Sequence, residues 1–362
     1  MHAKPSLRVP RELVSALVAV AGRWRDPEHP TRARAVAATM ESPNRFTQEA
    51  VAFAINQQMH QLTAPQVEAW IEGRQAREPR TVGVLNPGNV PLVELQDFLA
   101  VLLTGHRYFG VMSSASPHLL PAFAGEVRSL AGASEFPYGF GTLDGMLSAS
   151  EAVIATGSDA TRDRLAELCE AAGIPSGRRL LRGNRFAVAV IDGRESADEL
   201  EGLAEDMLLH EGLGCRNVAI VWAPADASPD PLLEALAAFR GVFPPHGESA
   251  GALKLQQAFL KATDTPHAHG ENLEFLVSRG VPEVQPPGHV RWTEYHRIDE
   301  VTRWMTENEQ TIQLVVARER LRRNLETELE VELEVVSPGN AQRPALSWRP
   351  DRINTVSFLA NL

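Results

Sequence analysis

The stretch "RTVGVLNPGNVPLVELQDFLAVLLTGHRYFGVMSS", Arg80–Ser114, decides the fold. Its Val82–Leu85 run is short and apolar, and a Pro-Gly turn cuts it off. A helical stretch follows, then Gly105, then a second strand-like run, "YFGVM". Strand, loop, helix and strand in that order build a parallel pair, because parallel neighbours need a long crossover to bring the chain back. The pattern recurs in "SEAVIATGSDATRDRLAELCEAAG", Ser150–Gly173, which reads as strand, Gly-Ser turn and helix. "RFAVAVID", Arg185–Asp192, reads as a further buried strand. Such alternation implies an α/β fold whose sheet is covered by helices on both faces.

Upstream of Arg80, "RELVSALVAVAGRW" and "TQEAVAFAINQQMHQLTAPQVEAWIEG" space apolar residues by three and four, the period of a helix. Downstream of Asp206 a second αβ region begins. "RNVAIVWAP" is a strand, "DPLLEALAAFRGVF" and "GALKLQQAFLKA" are helices, and "RGVPEVQPPGHVRW" reads as a Pro/Gly-rich connector. A last helix, "IDEVTRWMTENEQ", and a strand, "IQLVVA", precede a loop-rich tail with an apolar end.

At 362 residues the chain has room for two domains. Its 44% hydrophobic and 22% charged content is that of a soluble globular protein. A net charge of −11 argues against a mainly electrostatic nucleic-acid binder. The basic cluster "RERLRR", Arg318–Arg323, runs into "NLETELEVELEVV" and reads as a solvated surface element. Two cysteines make neither a disulfide framework nor a cysteine-rich zinc site. No stretch approaches the roughly 18 apolar residues of a membrane span, and no signal peptide is recognisable. A protein of the reducing cytoplasm is the expectation.

Three segments carry potential chemistry. In "DMLLHEGLGCRNVAIVWAP", Asp206–Pro224, Cys215 stands between a Gly-Leu-Gly and an apolar run. A cysteine outside a disulfide is most often packing. Gly212 and Gly214, however, allow a sharp turn, and Arg216 is placed to favour a thiolate. Cys169 sits at helical spacing with Leu165 and Leu168 and reads as packing. In "ATGSDATRDRL", Ala155–Leu165, a Gly-Ser turn before a helix suits a phosphate, although an ordinary βα turn looks the same. In "NPGNVPL", Asn86–Leu92, an asparagine amide suits an oxyanion, while helix capping is its commoner task. His210 is a candidate base for Cys215. His267 and His269 lack a third clear ligand and read as a polar loop, not a metal site.

In this order the segments "LNPGNVPLVELQDFLAVLLTGHRYFGVMSS", "EAVIATGSDAT", "LLRGNRFAVAVIDG" and "HEGLGCRNVAIVWAP" resemble the bacterial acyl-CoA reductases of the LuxC type. These are a divergent branch of the aldehyde dehydrogenase superfamily. The resemblance extends to "NEQTIQLVVA" and "NAQRPALSWRPDRINTVSFL" and is loosest over the first eighty residues. It implies an aldehyde dehydrogenase-like α/β fold in four regions. These are a helical N-terminal region, 1–80, and a Rossmann-like cofactor-binding domain, 81–205. A catalytic domain, 206–335, supplies the cysteine. A C-terminal arm, 336–362, returns to the cofactor domain or a dimer interface.

The same resemblance assigns Cys215 as the nucleophile and Asn89 as the oxyanion amide. Gly157 and Ser158 take the cofactor pyrophosphate, and Ser113 and Ser114 line the adenosine side. Hydrolytic aldehyde dehydrogenases carry a water-activating glutamate; Leu181 stands roughly in its place, which implies reduction of a thioester and not oxidation to an acid. Val111 lies near the place of a lysine that contacts the adenosine ribose. That departure bears on cofactor preference; the resemblance implies NADPH with NADH as the alternative, and no metal is expected.

The implied activity is reduction of an acyl-CoA or carrier-bound acyl thioester to a fatty aldehyde by a homo-oligomer, with an acyl ligase or acyltransferase as partner. The alternatives are a CoA-acylating aldehyde dehydrogenase, an acyl-phosphate reductase, a Cys215–His210 thiol hydrolase and a non-catalytic scaffold subunit.

Overall fold

The computed structural model describes residues 11–362 apart from 77, 133–135 and 330. The first ten residues of the region read as helical lie outside that range. In chain order the elements open with α1 (Arg11–Trp24), α2 (Pro30–Glu41), α3 (Gln48–Gln61) and α4 (Ala64–Ile71). The first sheet and its helices follow as β1 (Thr81–Leu85), α5 (Leu95–Leu103), β2 (Arg107–Val111), α6 (Leu119–Ala131), β3 (Tyr138–Phe140), α7 (Leu143–Ala149), β4 (Ala152–Thr156), α8 (Asp159–Ala171) and β5 (Arg179–Arg182). The second sheet begins with β6 (Phe186–Val190), α9 (Ala197–Leu208), β7 (Val218–Pro224), α10 (Asp230–Val242), α11 (Ser249–Ala262), β8 (His267–His269) and β9 (Leu276–Arg279). It is completed by β10 (His289–Tyr295), α12 (Ile298–Glu307), β11 (Ile312–Ala317), α13 (Glu319–Glu328) and β12 (Val335–Val336). The last helix is α14 (Thr355–Ala360).

Two compact units divide the chain: residues up to Asn44, Val51–Asn184 and Ala345–Leu362 form one, and Arg45–Ala50 with Arg185–Pro344 the other. The first unit holds a five-stranded parallel sheet in the order β3-β2-β1-β4-β5. Its central strands are buried apolar runs, as parallel strands covered on both faces must be. The nine residues of α5 are buried almost throughout because β1 and β2 lie on one side and α14 on the other. Asp97 on α5 is therefore buried too, and Arg182 meets it with two bonds of 2.6 and 3.1 Å while donating to Thr355 at 2.8 Å.

The N-terminal helices do not stand apart. Trp24 packs edge-on against Phe123 of α6 at 5.3 Å, and its indole donates to Glu126 at 3.0 Å.

The second unit holds a seven-stranded sheet, β12-β11-β6-β7-β10-β9-β8, parallel except for β8. One core lies under α9 and α10, and another joins β6, β7 and β11 to α12 and α13. Helix α9 starts with a full capping box between Ser196 and Glu199. At its middle, a Cβ on Gly202 would stand 2.8 Å from the Gly339 nitrogen, so the 338–342 loop presses directly on helix backbone. One turn further, buried Asp206 accepts the N–H groups of Gly339 at 2.7 Å and Ala341 at 3.0 Å.

The connector "RGVPEVQPPGHVRW" is not all loop: it contains the end of β9 and the first half of β10. His267 and His269 likewise form an edge strand, β8, where a polar loop was expected.

Candidate active site

Because their strands are parallel, the turns after β1, β2 and β4 leave from one edge of the first sheet. β1 lies between β2 and β4, so chain order reverses there. Open α/β sheets bind ligands outside the carboxyl ends of the strands at such a switch point. Asn89, Ser113, Ser114, Gly157 and Ser158 all lie in these three turns.

The turn after β1 contains two asparagines with different surroundings. Asn86 is buried, donates to Tyr108 Oη at 2.7 Å and the Val111 carbonyl at 3.1 Å, and accepts the Tyr108 hydroxyl at 3.0 Å. It ties β1 to β2. Asn89 is half-buried in the bend that follows. Between them, a Cβ on Gly88 would fall 2.0 Å from Ser113 Oγ, so the first two turns touch and only glycine fits.

After β4, the Ser158 hydroxyl accepts the Thr161 N–H at 3.1 Å, capping α8. That satisfies one of the four N–H groups a helix start leaves over. Asp159, which would repel an anion there, is drawn to Arg162 at 3.0 Å and to the Asn184 N–H at 3.2 Å. A positive helix end with its own carboxylate turned aside fits a pyrophosphate. No lysine accompanies it from β2, where Val111 packs against the apolar cluster of Val153 and Leu165.

Cys215, in the second unit, is half-buried in the turn before β7. After α9 the backbone takes left-handed geometry at His210, Glu211 and Gly212, with φ of 56°, 58° and 71°. Such geometry costs a non-glycine residue about 1–2 kcal/mol. Glu211 is buried, paired with buried Arg240 at 2.9 Å, and accepts the Ser249 hydroxyl. Arg240 also donates to the Glu274 carbonyl at 3.1 Å.

Beyond the cysteine, Asn217 accepts the Gly214 N–H at 2.8 Å and donates to the carbonyls of Leu209 at 2.8 Å and Asp206 at 3.1 Å. Arg216 donates to the Ala341 carbonyl and pairs with Glu334 at 3.1 Å. Of the two flanking glycines, Gly212 has a positive φ and Gly214 does not.

Burial pushes His210 down to about 4, so its imidazole is neutral at pH 7 and a weak base. Cys169 is fully buried beside Met146, Val153 and Leu165, and burial raises its thiol. His267 and His269 donate through Nδ1 to the carbonyls of Thr265 and Gly270. Among the described residues no group of three or more His, Cys, Asp or Glu is arranged to hold a metal. No helix among them is long and apolar enough to cross a membrane.

The chain has the same overall fold as a set of solved structures. The fold is that of the aldehyde dehydrogenases. An NAD-dependent benzaldehyde dehydrogenase from Corynebacterium glutamicum has it at 17% identity, with a TM-score of 0.67 over 90% of this chain and 80% of that one. A succinic semialdehyde dehydrogenase from Streptococcus pyogenes, solved with NADP+, has it at 14% identity and 0.62, over 91% and 83%. An oxidoreductase from Marinobacter aquaeolei has it at 11% and 0.69, over 92% and 80%. No protein-family model and no curated protein matches the chain by sequence.

Within this aldehyde dehydrogenase fold, Leu181 on β5 is half-buried and packs against the Met146–Val153 cluster. The residues that sequence reasoning missed are Asp206, Glu211, Asn217 and Arg240. Their roles depend on partners brought near by folding, such as Glu211 with Arg240, 29 positions on.

Proposed function

We propose that the protein reduces an acyl thioester, either an acyl-CoA or a carrier-bound acyl group, to the aldehyde through a Cys215 acyl enzyme. The observation that carries this is Cys215 itself, half-buried in a turn fixed on both sides by buried polar contacts, on an aldehyde dehydrogenase fold. In this reading the first unit binds the dinucleotide. Gly157, Ser158 and the start of α8 hold its pyrophosphate, and Ser113 and Ser114 line the adenosine side. NADPH is the proposed form and NADH the alternative.

The Cys215 thiolate attacks the thioester carbonyl, and the C–S bond to the carrier breaks as the new C–S bond forms. The carrier thiolate leaves and takes up a proton. Asn89 donates its amide N–H to the oxyanion that develops on the carbonyl oxygen. A reduced nicotinamide, held by these residues, would be the source of hydride for the acyl carbon. The thiohemiacetal that results collapses, releasing aldehyde and returning the Cys215 thiolate. Leu181 sets the direction. With an apolar side chain where a water-activating carboxylate is required, hydrolysis of the acyl enzyme is slow and reduction prevails. The same groups run backwards would acylate CoA from an aldehyde.

A panel of acyl-CoAs with NADPH or NADH, followed at the nicotinamide absorbance and by intact mass, tests the mechanism. Expected are an acyl adduct on the wild type, none on Cys215→Ala, and a loss of turnover of about 10²–10³-fold in Asn89→Ala. An adduct that persists in Cys215→Ala, or no adduct with any thioester, would overturn it.

A further inference from the structure

We propose that Glu211 is a positioning residue for Cys215: its carboxylate, clamped between Arg240 and Ser249, holds the left-handed His210–Glu211 backbone and thereby sets the turn that presents the thiol. The role rests on Cys215 being the nucleophile proposed above.

Consecutive non-glycine residues in the left-handed region need an outside constraint. His210 and Glu211 are such a pair, at φ, ψ of 56°, 29° and 58°, 22°. The constraint is visible at Glu211. Oε1 meets Arg240 Nη1 at 2.9 Å, Oε2 accepts the Ser249 hydroxyl, and both members of the ion pair are at least nine-tenths buried. Arg240 is fixed in turn by the Glu274 carbonyl at 3.1 Å, so the clamp reaches from α10 and α11 to the chain just before β9. Its effect passes to Cys215 along the backbone. The Leu213 N–H donates to the His210 carbonyl at 3.0 Å, and Gly214 is held by Asn217 on the far side of the cysteine. Gly212 has no room to shift toward β10, because even a Cβ there would stand 2.9 Å from the Gly288 nitrogen. A buried carboxylate–guanidinium pair is weak as a source of net stability. It is well suited to imposing one backbone geometry that the residues themselves disfavour.

Loss of the clamp should therefore act oppositely on two reactions of one thiol. Iodoacetamide is small and needs only access; thioester attack needs the thiol held in place. In Glu211→Gln, we expect Cys215 alkylation at pH 8 to rise at least threefold. Turnover with acyl-CoA should fall at least tenfold with KM changed less than twofold. Arg240→Lys keeps the charge and loses the Nε bond to the Glu274 carbonyl; it should shift both rates the same way by less, and it stands in if Glu211→Gln fails to fold. Asp192→Asn, which loosens the half-buried Arg318 pair in the same unit, is the control for stability alone and should change neither rate. Alkylation of folded Glu211→Gln or Arg240→Lys at the wild-type rate overturns the positioning role. Absence of any acyl adduct on the wild type would overturn the reductase mechanism instead, and the alkylation rates would still decide the role of Glu211.

Discussion

At Glu94 a carboxyl group is buried with neither oxygen hydrogen-bonded, at the start of α5 and five residues after Asn89. Burial pushes it up to about 8, so it is protonated in the folded protein at pH 7. An unfolded chain ionises it near pH ~4.3. Its folded value is the higher one. Its contribution to stability is thus fully present below about pH 4.3 and lost as pH rises toward 8. Wild type should lose on the order of 3 kcal/mol between about pH 5 and 9 that Glu94→Gln retains, read from denaturant midpoints across pH. Asp206, pushed by burial to about 7, drifts with the same sign in both proteins, so their difference isolates Glu94. Equal pH slopes would show that Glu94 is hydrated or paired in solution. Sequence gave no hint of this residue, since a glutamate beside a helix start ordinarily reads as a favourable dipole partner. Cys215 became a candidate through its flanking glycines, Arg216 and the resemblance of its neighbourhood; its residue type alone pointed to packing.

Among the elements, the strands that periodicity revealed are those buried among apolar neighbours: β1, β2, β4, β6, β7 and β11. Those it missed have physical reasons to be hidden. On β9 and β10, Val277, Val290 and Trp292 enter a core, while Ser278, His289, Arg291 and Thr293 alternate with them. These polar residues satisfy one another and the strand ends. Ser278 Oγ lies 2.7 Å from His289 Nε2, Arg291 donates to the Arg279 carbonyl at 3.1 Å, and Thr293 donates to the Gly280 carbonyl at 3.0 Å. A strand whose second face is a buried polar network looks like loop in sequence, more so beside three prolines. At α9 the decisive contact is equally invisible. Gly202→Ala should gain about 1 kcal/mol of helix propensity yet lower the melting temperature by several degrees, because the new Cβ meets the backbone of the 338–342 loop. A melting temperature at or above wild type would mean that this loop yields without cost.

At the scale of the molecule, the α/β class and the alternation of strands and helices followed from composition and period, whereas the path of the chain did not. It leaves the first unit after Asn184 and returns after Pro344. There α14 buries Val356 and Leu359, His106 bonds the Leu359 carbonyl at 2.9 Å, and Gln96 donates to the carbonyls of Leu346 and Trp348. Leu359→Ala should cost the first unit about 2–4 kcal/mol, measured by denaturant unfolding with a probe confined to that unit. A change under about 0.5 kcal/mol would show that α14 is not part of its core. The position of α14 also dictates an order of assembly. The first sheet can form from nearby βαβ pieces, but Arg182 waits for Thr355 across 173 residues and His106 for Leu359 across 253. Until α14 has docked, one apolar side of α5 has no cover. A chain in which that side is still bare is the form most exposed to chaperones and to aggregation.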